Sequence, residues 1–208
     1  MDENKIFTLW EESEKLKEIE KEAEKEHIPI ISREIANILK SIISIKDPKL
    51  ILELGTAVGY STLWMAEYTD EKAEIVTIER DEERFKRAKE NIKEFGFDKK
   101  VNFKFGDARE IVPYLRRKFD LIFIDAAKGQ YLNLFKMAEE KISDNGIIIC
   151  DNVLYKGLIR NKQKVDHKMR TMVVNMRKFL IYLKNNKRFK TDILDIDDGL
   201  TISSRRNK

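Results

Sequence analysis

Two apolar segments of the chain end in side chains that could bind a divalent cation. FDLIFIDAAKGQY ends its apolar run at Asp125 and has Lys128 three residues later, and GIIICDNVLYKG ends its run at Asp151 and Asn152. Two carboxylates and one amide are the oxygen ligands that Mg²⁺ accepts, with its other positions left to water and substrate.

Lys128 would share that site as a candidate general base, because a neighbouring cation favours the neutral amine. An exposed loop lysine and an Asx turn at Asp151-Asn152 are the ordinary alternatives. Neither alternative explains why both apolar runs end in this way.

The loop ELGTAVGYST is typical of a site that binds a nucleotide cofactor. Gly55 and Gly59 let the backbone approach a ligand before the next helix begins. The loop is neither a GxGxxG fingerprint nor a P-loop, which favours a cofactor without a pyrophosphate. Glu79 is placed like the acid that binds ribose hydroxyls in dinucleotide sites, although a solvated or capping glutamate would look the same. Gly106-Asp107 follow the third apolar run and support the interpretation of Glu79 as part of a cofactor site.

These polar residues end the strands of an alternating pattern. Apolar runs that alternate with amphipathic segments indicate a parallel sheet covered by helices on both faces, and ligands collect at the carboxyl ends of its strands. We predict strands at 50–54, 74–79, 101–105, 119–125 and 146–151, and helices at 60–68, 81–94, 131–141 and 164–186.

The two ends of the chain add further elements. Residues 6–26 and the segment that Ser32 would cap are predicted to be helices, separated by HIPII. FKTDILDIDDGLTISSRR predicts two antiparallel strands joined by an Asp-Asp-Gly turn. We therefore expect a single α/β domain over 1–208, with an N-terminal helical extension (1–45) and a core (46–208).

The composition is that of a globular protein. The 208 residues include 42 % apolar and 38 % charged residues, enough for one domain with its own core. The single cysteine, Cys150, excludes an intrachain disulfide and is interpreted as a small buried hydrophobe. With no apolar run of membrane-spanning length and no signal-peptide core, the sequence predicts a cytoplasmic location.

The charge is unevenly distributed along the chain. The net charge is +4, but from Cys150 onward there are 15 Lys/Arg against 6 Asp/Glu. This excess indicates either a phosphate-bearing partner or lysine-rich solvated helices. The basic residues that follow Asp151-Asn152 most closely are Lys156, Arg160, Lys162, Lys164, Lys168 and Arg170.

Taken together, five segments resemble a known family, the class I S-adenosylmethionine-dependent, metal-dependent O-methyltransferases of the catechol and caffeoyl-CoA type. The segments are LILELGTAVGYSTLWMA, IERDEERFKRAKENI, GDA, FDLIFIDAAKGQY and GIIICDNVLYKG. The resemblance runs from HIPII to the terminal hairpin. It implies a Rossmann-like class I methyltransferase fold, with a mostly parallel seven-stranded sheet, an antiparallel C-terminal hairpin and extra N-terminal helices.

The resemblance also implies a role for each matching residue. Lys128 would deprotonate the acceptor hydroxyl, and Asp125, Asp151 and Asn152 would hold Mg²⁺ or Mn²⁺. Glu79 would bind the ribose of S-adenosyl-L-methionine. The residues implied to contact this cofactor are Ile31, Glu53, Gly55, Thr56, Tyr60, Ser61, Glu79, Asp107, Ala108 and Asp125.

Several features favour RNA as the acceptor. HIPII, GTAVGYS and DNVLYKGL are similar to segments of a bacterial subgroup that methylates wobble 5-hydroxyuridine in tRNA to 5-methoxyuridine. Ala126-Ala127 replace a bulky His-Trp pair of the animal catechol enzymes, which would open one wall of the pocket. A wobble base could stack on Tyr155, although plain packing is the commoner role for such a residue. We expect the tRNA anticodon loop as partner.

Two other functions stay open. A 5-hydroxyuracil and a catechol both present two neighbouring oxygens to a metal, so the metal site alone cannot choose between them. A small catechol-like or caffeoyl-type phenol is therefore the alternative acceptor, and a non-catalytic RNA-binding module is a third possibility. The family resemblance also favours a homodimer.

Overall fold

One twisted sheet organises the molecule. The computed structural model describes residues 14–155, 157–159 and 167–206. Seven strands within these ranges form a single sheet of order β3-β2-β1-β4-β5-β7-β6. The strands are β1 (Leu50–Leu54), β2 (Glu74–Glu79), β3 (Val101–Phe105), β4 (Phe119–Ile124), β5 (Ile142–Cys150), β6 (Phe189–Leu194) and β7 (Leu200–Arg205).

The strand directions confirm the predicted sheet. Strands β1 to β5 are mutually parallel, β7 runs antiparallel to β5, and β6 runs antiparallel to β7. Every residue of β1 is buried, as expected for a parallel strand covered on both faces. The carboxyl ends of all five parallel strands consequently meet at one edge of the sheet.

Helices cover both faces. The helices are α1 (Glu14–Lys25), α2 (Arg33–Lys46), α3 (Tyr60–Tyr68), α4 (Glu82–Glu94), α5 (Ala108–Ile111), α6 (Tyr131–Lys141) and α7 (His167–Asn185). Leu52 and Leu54 of β1 pack in the cluster that includes α6 and α7, whereas Ile51 packs in the cluster with α1, α2, α3 and α4. This alternation follows from the two-residue period of a strand.

Most element bounds agree with the sequence pattern to within a residue. Among the described residues strand β5 is the exception, because it begins at Ile142 rather than at 146. Its register against β4 shifts between Phe119 and Leu121, so a polar bulge precedes the apolar run that the pattern detects. Positions 164–166 of the helix predicted at 164–186 lie outside the described residues. Cys150 is fully buried, as predicted, and burial raises its pKa to about 12.

The N-terminal helices α1 and α2 pack against α3 on one face of the sheet. Ser32 caps α2 as predicted, accepting a hydrogen bond from the Ile35 N–H. Glu20 of α1 accepts hydrogen bonds from Arg33 and from the Tyr60 hydroxyl, which fixes α1 against α3. Positions 6–13 of the predicted first helix lie outside the described residues. Among the helices that are described, none has the length and apolarity needed to cross a lipid bilayer.

Candidate active site

A cavity of about 360 Å³ lies at the carboxyl ends of the parallel strands. Its position is the one that the topology of open α/β sheets predicts for a ligand site. It brings together residues from all five strand ends and from the N-terminal segment. The predicted site residues in its wall are Gly55, Glu79, Asp107, Ala108, Asp125, Lys128 and Asn152.

Glu79 is held by backbone donors at the end of β2. One carboxylate oxygen accepts from the N–H of Ala57 at 2.9 Å, and the other accepts from the N–H groups of Arg80 and Asp81, each at 2.9 Å. Three donors leave part of the carboxylate's capacity of about four hydrogen bonds unused. Glu79 can therefore accept a ribose hydroxyl without losing its own support.

Asp107 is fixed at the end of β3. Its carboxylate caps α5 through the Arg109 N–H at 2.8 Å and forms a bidentate pair with the Arg109 guanidinium at 3.0 and 2.7 Å. This hydrogen bonding lowers the pKa of Asp107 to about 2, so the group is anionic. Ala108 begins α5 beside it.

Gly55 permits a close backbone approach in the cavity wall. Its φ is +100°, and an added Cβ would lie 2.0 Å from the backbone oxygen of Asp125. The loop after β1 therefore packs directly on the end of β4. The loop after β1 and the candidate metal ligand Asp125 are thus in direct backbone contact.

The other residues implied to surround the methionine part of the cofactor are buried beside this contact, not in the cavity wall. Glu53 accepts hydrogen bonds from the hydroxyls of Ser61 at 2.5 Å and Thr77 at 2.6 Å. Thr56 is 2.5 Å from Thr77 between hydroxyl oxygens. Tyr60 and Ile31 are likewise buried, although the neighbours of Ile31, Pro29 and Ile30, do line the cavity.

Glu53→Gln tests this buried network. Burial raises the pKa of Glu53 from 4.5 to about 7, so the folded protein holds this proton more tightly than the unfolded chain does. The protonated group contributes about 3 kcal/mol to the free energy of unfolding. This contribution is complete below about pH 4.5 and is lost as the pH rises through about 7. Glutamine cannot ionise and retains a hydrogen-bonding side chain of the same shape.

We therefore expect the free energy of unfolding of Glu53→Gln, relative to wild type, to increase between pH 5 and pH 8. Urea denaturation at both pH values measures this difference. An identical pH dependence of the two proteins would show that Glu53 does not titrate in this range.

The candidate metal ligands lie at the ends of β4 and β5. Asp151 is only 1 % exposed, and its Oδ1 accepts from the Asn152 N–H at 2.7 Å. Its Oδ2 is buried and has no hydrogen-bond partner among the described residues. Burial raises the pKa of Asp151 to about 7, with a further contribution from the charge of Asp125. Burial also raises the pKa of Asp125 to about 6, against the opposing effect of Lys128.

A divalent cation fits this arrangement. The carboxylates of buried Asp151 and half-buried Asp125 repel each other, and an unpartnered carboxylate oxygen is costly to bury. A cation between the strand ends would remove both penalties. The described residues hold no group of three or more His, Cys, Asp or Glu side chains that suits a metal, so the amide of Asn152 would supply the third protein oxygen.

Lys128 lies against the same residues. It begins a single 3₁₀ turn, Lys128–Gln130, directly after Ala126-Ala127 in the cavity wall. Its Nζ donates a hydrogen bond to Asn152 Oδ1 at 3.2 Å and lies 4.0 Å from the centre of the Tyr155 ring. A base could stack on this face of Tyr155 only if Lys128 moved away.

Several residues of the cavity wall were not predicted from the sequence. They are Pro29, Ile30, Ala57, Ile78, Arg80, Arg84, Gln130 and Leu134. The positions of Ala57, Ile78, Arg80 and Arg84 beside Gly55 and Glu79 are a signal that could have identified them. Pro29 and Ile30 lie between α1 and α2 in the segment HIPII, whose family resemblance is the signal that could have identified them.

The basic stretch after β5 falls largely outside the structural description. Lys156 and residues 160–166 lie outside the described residues, and for Lys168 only the backbone is described. Arg170 is exposed on α7. The predicted phosphate-binding surface therefore stays a prediction.

The strand order, the antiparallel terminal hairpin and the cavity at the carboxyl edge define a Rossmann-like α/β fold of the methyltransferase type. The model of the O-methyltransferase family matches residues 8–206, and the chain belongs to this family.

Individual relatives agree with this assignment. The catechol O-methyltransferase of Niastella koreensis is 32 % identical over 140 residues, covering 65 % of this chain but only 63 % of that protein. The caffeoyl-CoA O-methyltransferase of Medicago sativa is 27 % identical over 206 residues, covering 93 % of this chain and 83 % of that protein. The structure of the O-methyltransferase from Bacillus cereus in complex with SAH superposes with a TM-score of 0.86 at 25 % identity, covering 96 % and 94 % of the two chains.

Proposed function

We propose that the protein is a Mg²⁺-dependent enzyme that transfers the methyl group of S-adenosylmethionine to a hydroxyl of a small catechol-like or caffeoyl-type phenol. One observation carries the proposal: Asp125, Lys128 and Asn152 open into the same cavity as Glu79 and Asp107. The residues proposed for the cofactor and those proposed for the metal therefore share one space. The names of the relatives favour the phenolic acceptor over tRNA.

The cofactor end of the cavity suits a nucleoside. Glu79 would accept the ribose hydroxyls, and Asp107 with Ala108 would border the adenine. Gly55 lines the cavity and lets the loop after β1 pack on the backbone of Asp125, where an added Cβ would collide. These contacts would orient the sulfonium methyl group towards the strand ends that carry the two aspartates.

The acceptor end suits a hydroxyl that must lose its proton. Methyl transfer from a sulfonium is an in-line displacement whose leaving group needs no acid, so positioning and deprotonation of the acceptor are the main tasks. Lys128 Nζ would take the hydroxyl proton. A bound Mg²⁺ would supply Lewis-acid stabilisation of the resulting oxyanion. Asp125, Asp151 and Asn152 would hold that ion.

The wobble 5-hydroxyuridine of tRNA is the second candidate acceptor. The small side chains of Ala126 and Ala127 in the cavity wall favour it, because they leave room for a base that is still attached to RNA. The basic excess after Cys150 favours it as well. A homodimer and a cytoplasmic location also stay predictions.

An acceptor panel tests the proposal. The purified protein is incubated with methyl-labelled S-adenosylmethionine and Mg²⁺, and with catechol, caffeoyl-CoA or tRNA that carries 5-hydroxyuridine. We expect label in at least one phenol and its loss on addition of EDTA. Label in tRNA alone would establish the second candidate instead. No label in any acceptor would contradict enzymatic function and favour a binding module.

A further inference from the structure

We infer that Tyr155 is a positioning residue, whose ring holds Lys128 Nζ at the acceptor end of the cavity and stabilises the ammonium that forms when Lys128 takes the acceptor proton. This inference rests on the proposed methyl transfer, in which Lys128 takes the acceptor proton. It assigns to Tyr155 a task other than packing or stacking on a base.

Two contacts with described residues hold the lysine side chain. Lys128 Nζ lies 4.0 Å from the ring centre of Tyr155 and 3.2 Å from Asn152 Oδ1. A cation over the face of an aromatic ring is attracted by its quadrupole. Because a lysine side chain has a long flexible stem, one hydrogen bond alone would allow several rotamers. The ring supplies a further contact to Nζ.

The backbone of Tyr155 is itself held in an uncommon conformation. Its φ is +32°, a region that residues with bulky side chains seldom occupy. Such strain persists only where the surrounding structure imposes it, and it occurs often at functional sites. Asn152, which accepts the hydrogen bond from Lys128, also has a positive φ, of 58°.

The turn between β6 and β7 imposes this conformation. The N–H groups of Tyr155 and Leu154 both donate to the backbone oxygen of Asp198, at 3.1 and 2.7 Å, and the Val153 N–H donates to Gly199 O at 2.9 Å. A Cβ on Gly199 would lie 2.4 Å from Leu154 Cγ, so glycine is required for this close fit. The C-terminal hairpin thereby sets the position of the ring under Lys128.

Three substitutions at Tyr155 separate positioning from packing. Tyr155→Phe and Tyr155→Trp keep an aromatic face, whereas Tyr155→Leu fills space without one. We expect Tyr155→Leu to lower kcat for methylation of the phenol identified in the acceptor panel by roughly tenfold, the rate equivalent of one cation–π contact. The KM for the acceptor should change little, and Tyr155→Phe should stay within about twofold of wild type.

Tyr114→Leu serves as the matched control, because Tyr114 is 85 % exposed and does not line the cavity. Lys128→Ala gives the rate without the lysine. Wild-type kcat in Tyr155→Leu would overturn the inference, and so would an equal loss in the Phe and Leu variants. Should Tyr155→Leu fail to fold, Tyr155→Gln takes its place as the variant without an aromatic face.

A second readout does not depend on catalysis. Lysines are converted to ¹³C-dimethyl-lysine by reductive methylation, and the Lys128 signal is identified by its absence in Lys128→Arg. Ring current should shift this signal upfield in wild type and in Tyr155→Phe, and the shift should vanish in Tyr155→Leu. An unchanged signal in Tyr155→Leu would overturn the inference. If wild type methylates no acceptor, the proposed function fails while this spectrum still decides whether Tyr155 holds Lys128.

Discussion

Asp151→Asn is expected to lower the rate of the proposed methyl transfer by roughly a hundredfold or more. It should not lower the stability of the metal-free protein. Asp151 Oδ2 is buried with no hydrogen-bond partner in the part of the chain that the structure describes. Its charge is opposed by burial and by Asp125. Asparagine has the same shape but no charge, so it removes a repulsion from the metal-free protein and a ligand from the metal-bound one.

Thermal unfolding with and without Mg²⁺ separates these two effects. An ion that binds only the folded state raises Tm, so wild type should be stabilised by Mg²⁺. Asp151→Asn should show an equal or higher Tm without the ion and no rise with it. Asp144→Asn is the control, because Asp144 lies on the same strand but is fully exposed. A variant that retains both turnover and the Mg²⁺-dependent rise would contradict the assignment of Asp151 as a ligand.

The convergence of the candidate metal ligands could be predicted from the sequence because it follows from topology alone. Asp125 and Asp151 each end an apolar run, and parallel neighbouring strands must bring such ends to one edge. Glu79 and Asp107 reach the cavity that Asp125 lines for the same reason, whereas Asp151 is buried behind its wall. Residues that end strands are therefore placed by a rule that needs only the order of the elements.

The direction in which a side chain points was harder to predict than its place on the sheet. Glu53 belongs to the motif ELGTAVGYST, which suggested a cofactor contact, yet its carboxylate is buried among the hydroxyls of Ser61, Thr62 and Thr77. A burial pattern assigns a strand residue to a face but does not say which polar neighbours that face contains. Thr77 comes from β2, so the network depends on the register between strands.

The contacts that hold Lys128 could not be predicted, because the residues that make them are far apart in the sequence. Lys128, Tyr155 and Asp198 come from three separate connections between elements. Their contacts arise from the antiparallel addition of β7 to β5, which carries the hairpin turn to the loop after β5. The sequence indicated the hairpin and the lysine separately, and only the structure relates them.

Gly55→Ala is expected to lower both the free energy of unfolding and the affinity for the cofactor. The added Cβ would lie 2.0 Å from Asp125 O and 2.8 Å from Asp125 C, which are backbone atoms of β4's end and cannot rotate away. The φ of +100° adds backbone strain for any residue with a side chain. The loop or the strand end must therefore move, and either movement displaces the cofactor loop from the candidate metal ligand Asp125.

Gly96→Ala isolates the steric part of this effect. Gly96 also has a positive φ, of +79°, but an added Cβ there meets no atom within 4 Å. Gly96→Ala should therefore cost only the ~1–2 kcal/mol of a left-handed residue and leave cofactor affinity unchanged. Gly55→Ala should cost more in urea denaturation and should also weaken binding of S-adenosylhomocysteine in calorimetry. Equal stability losses and equal affinities in the two variants would show that the loop after β1 does not need its close contact with Asp125.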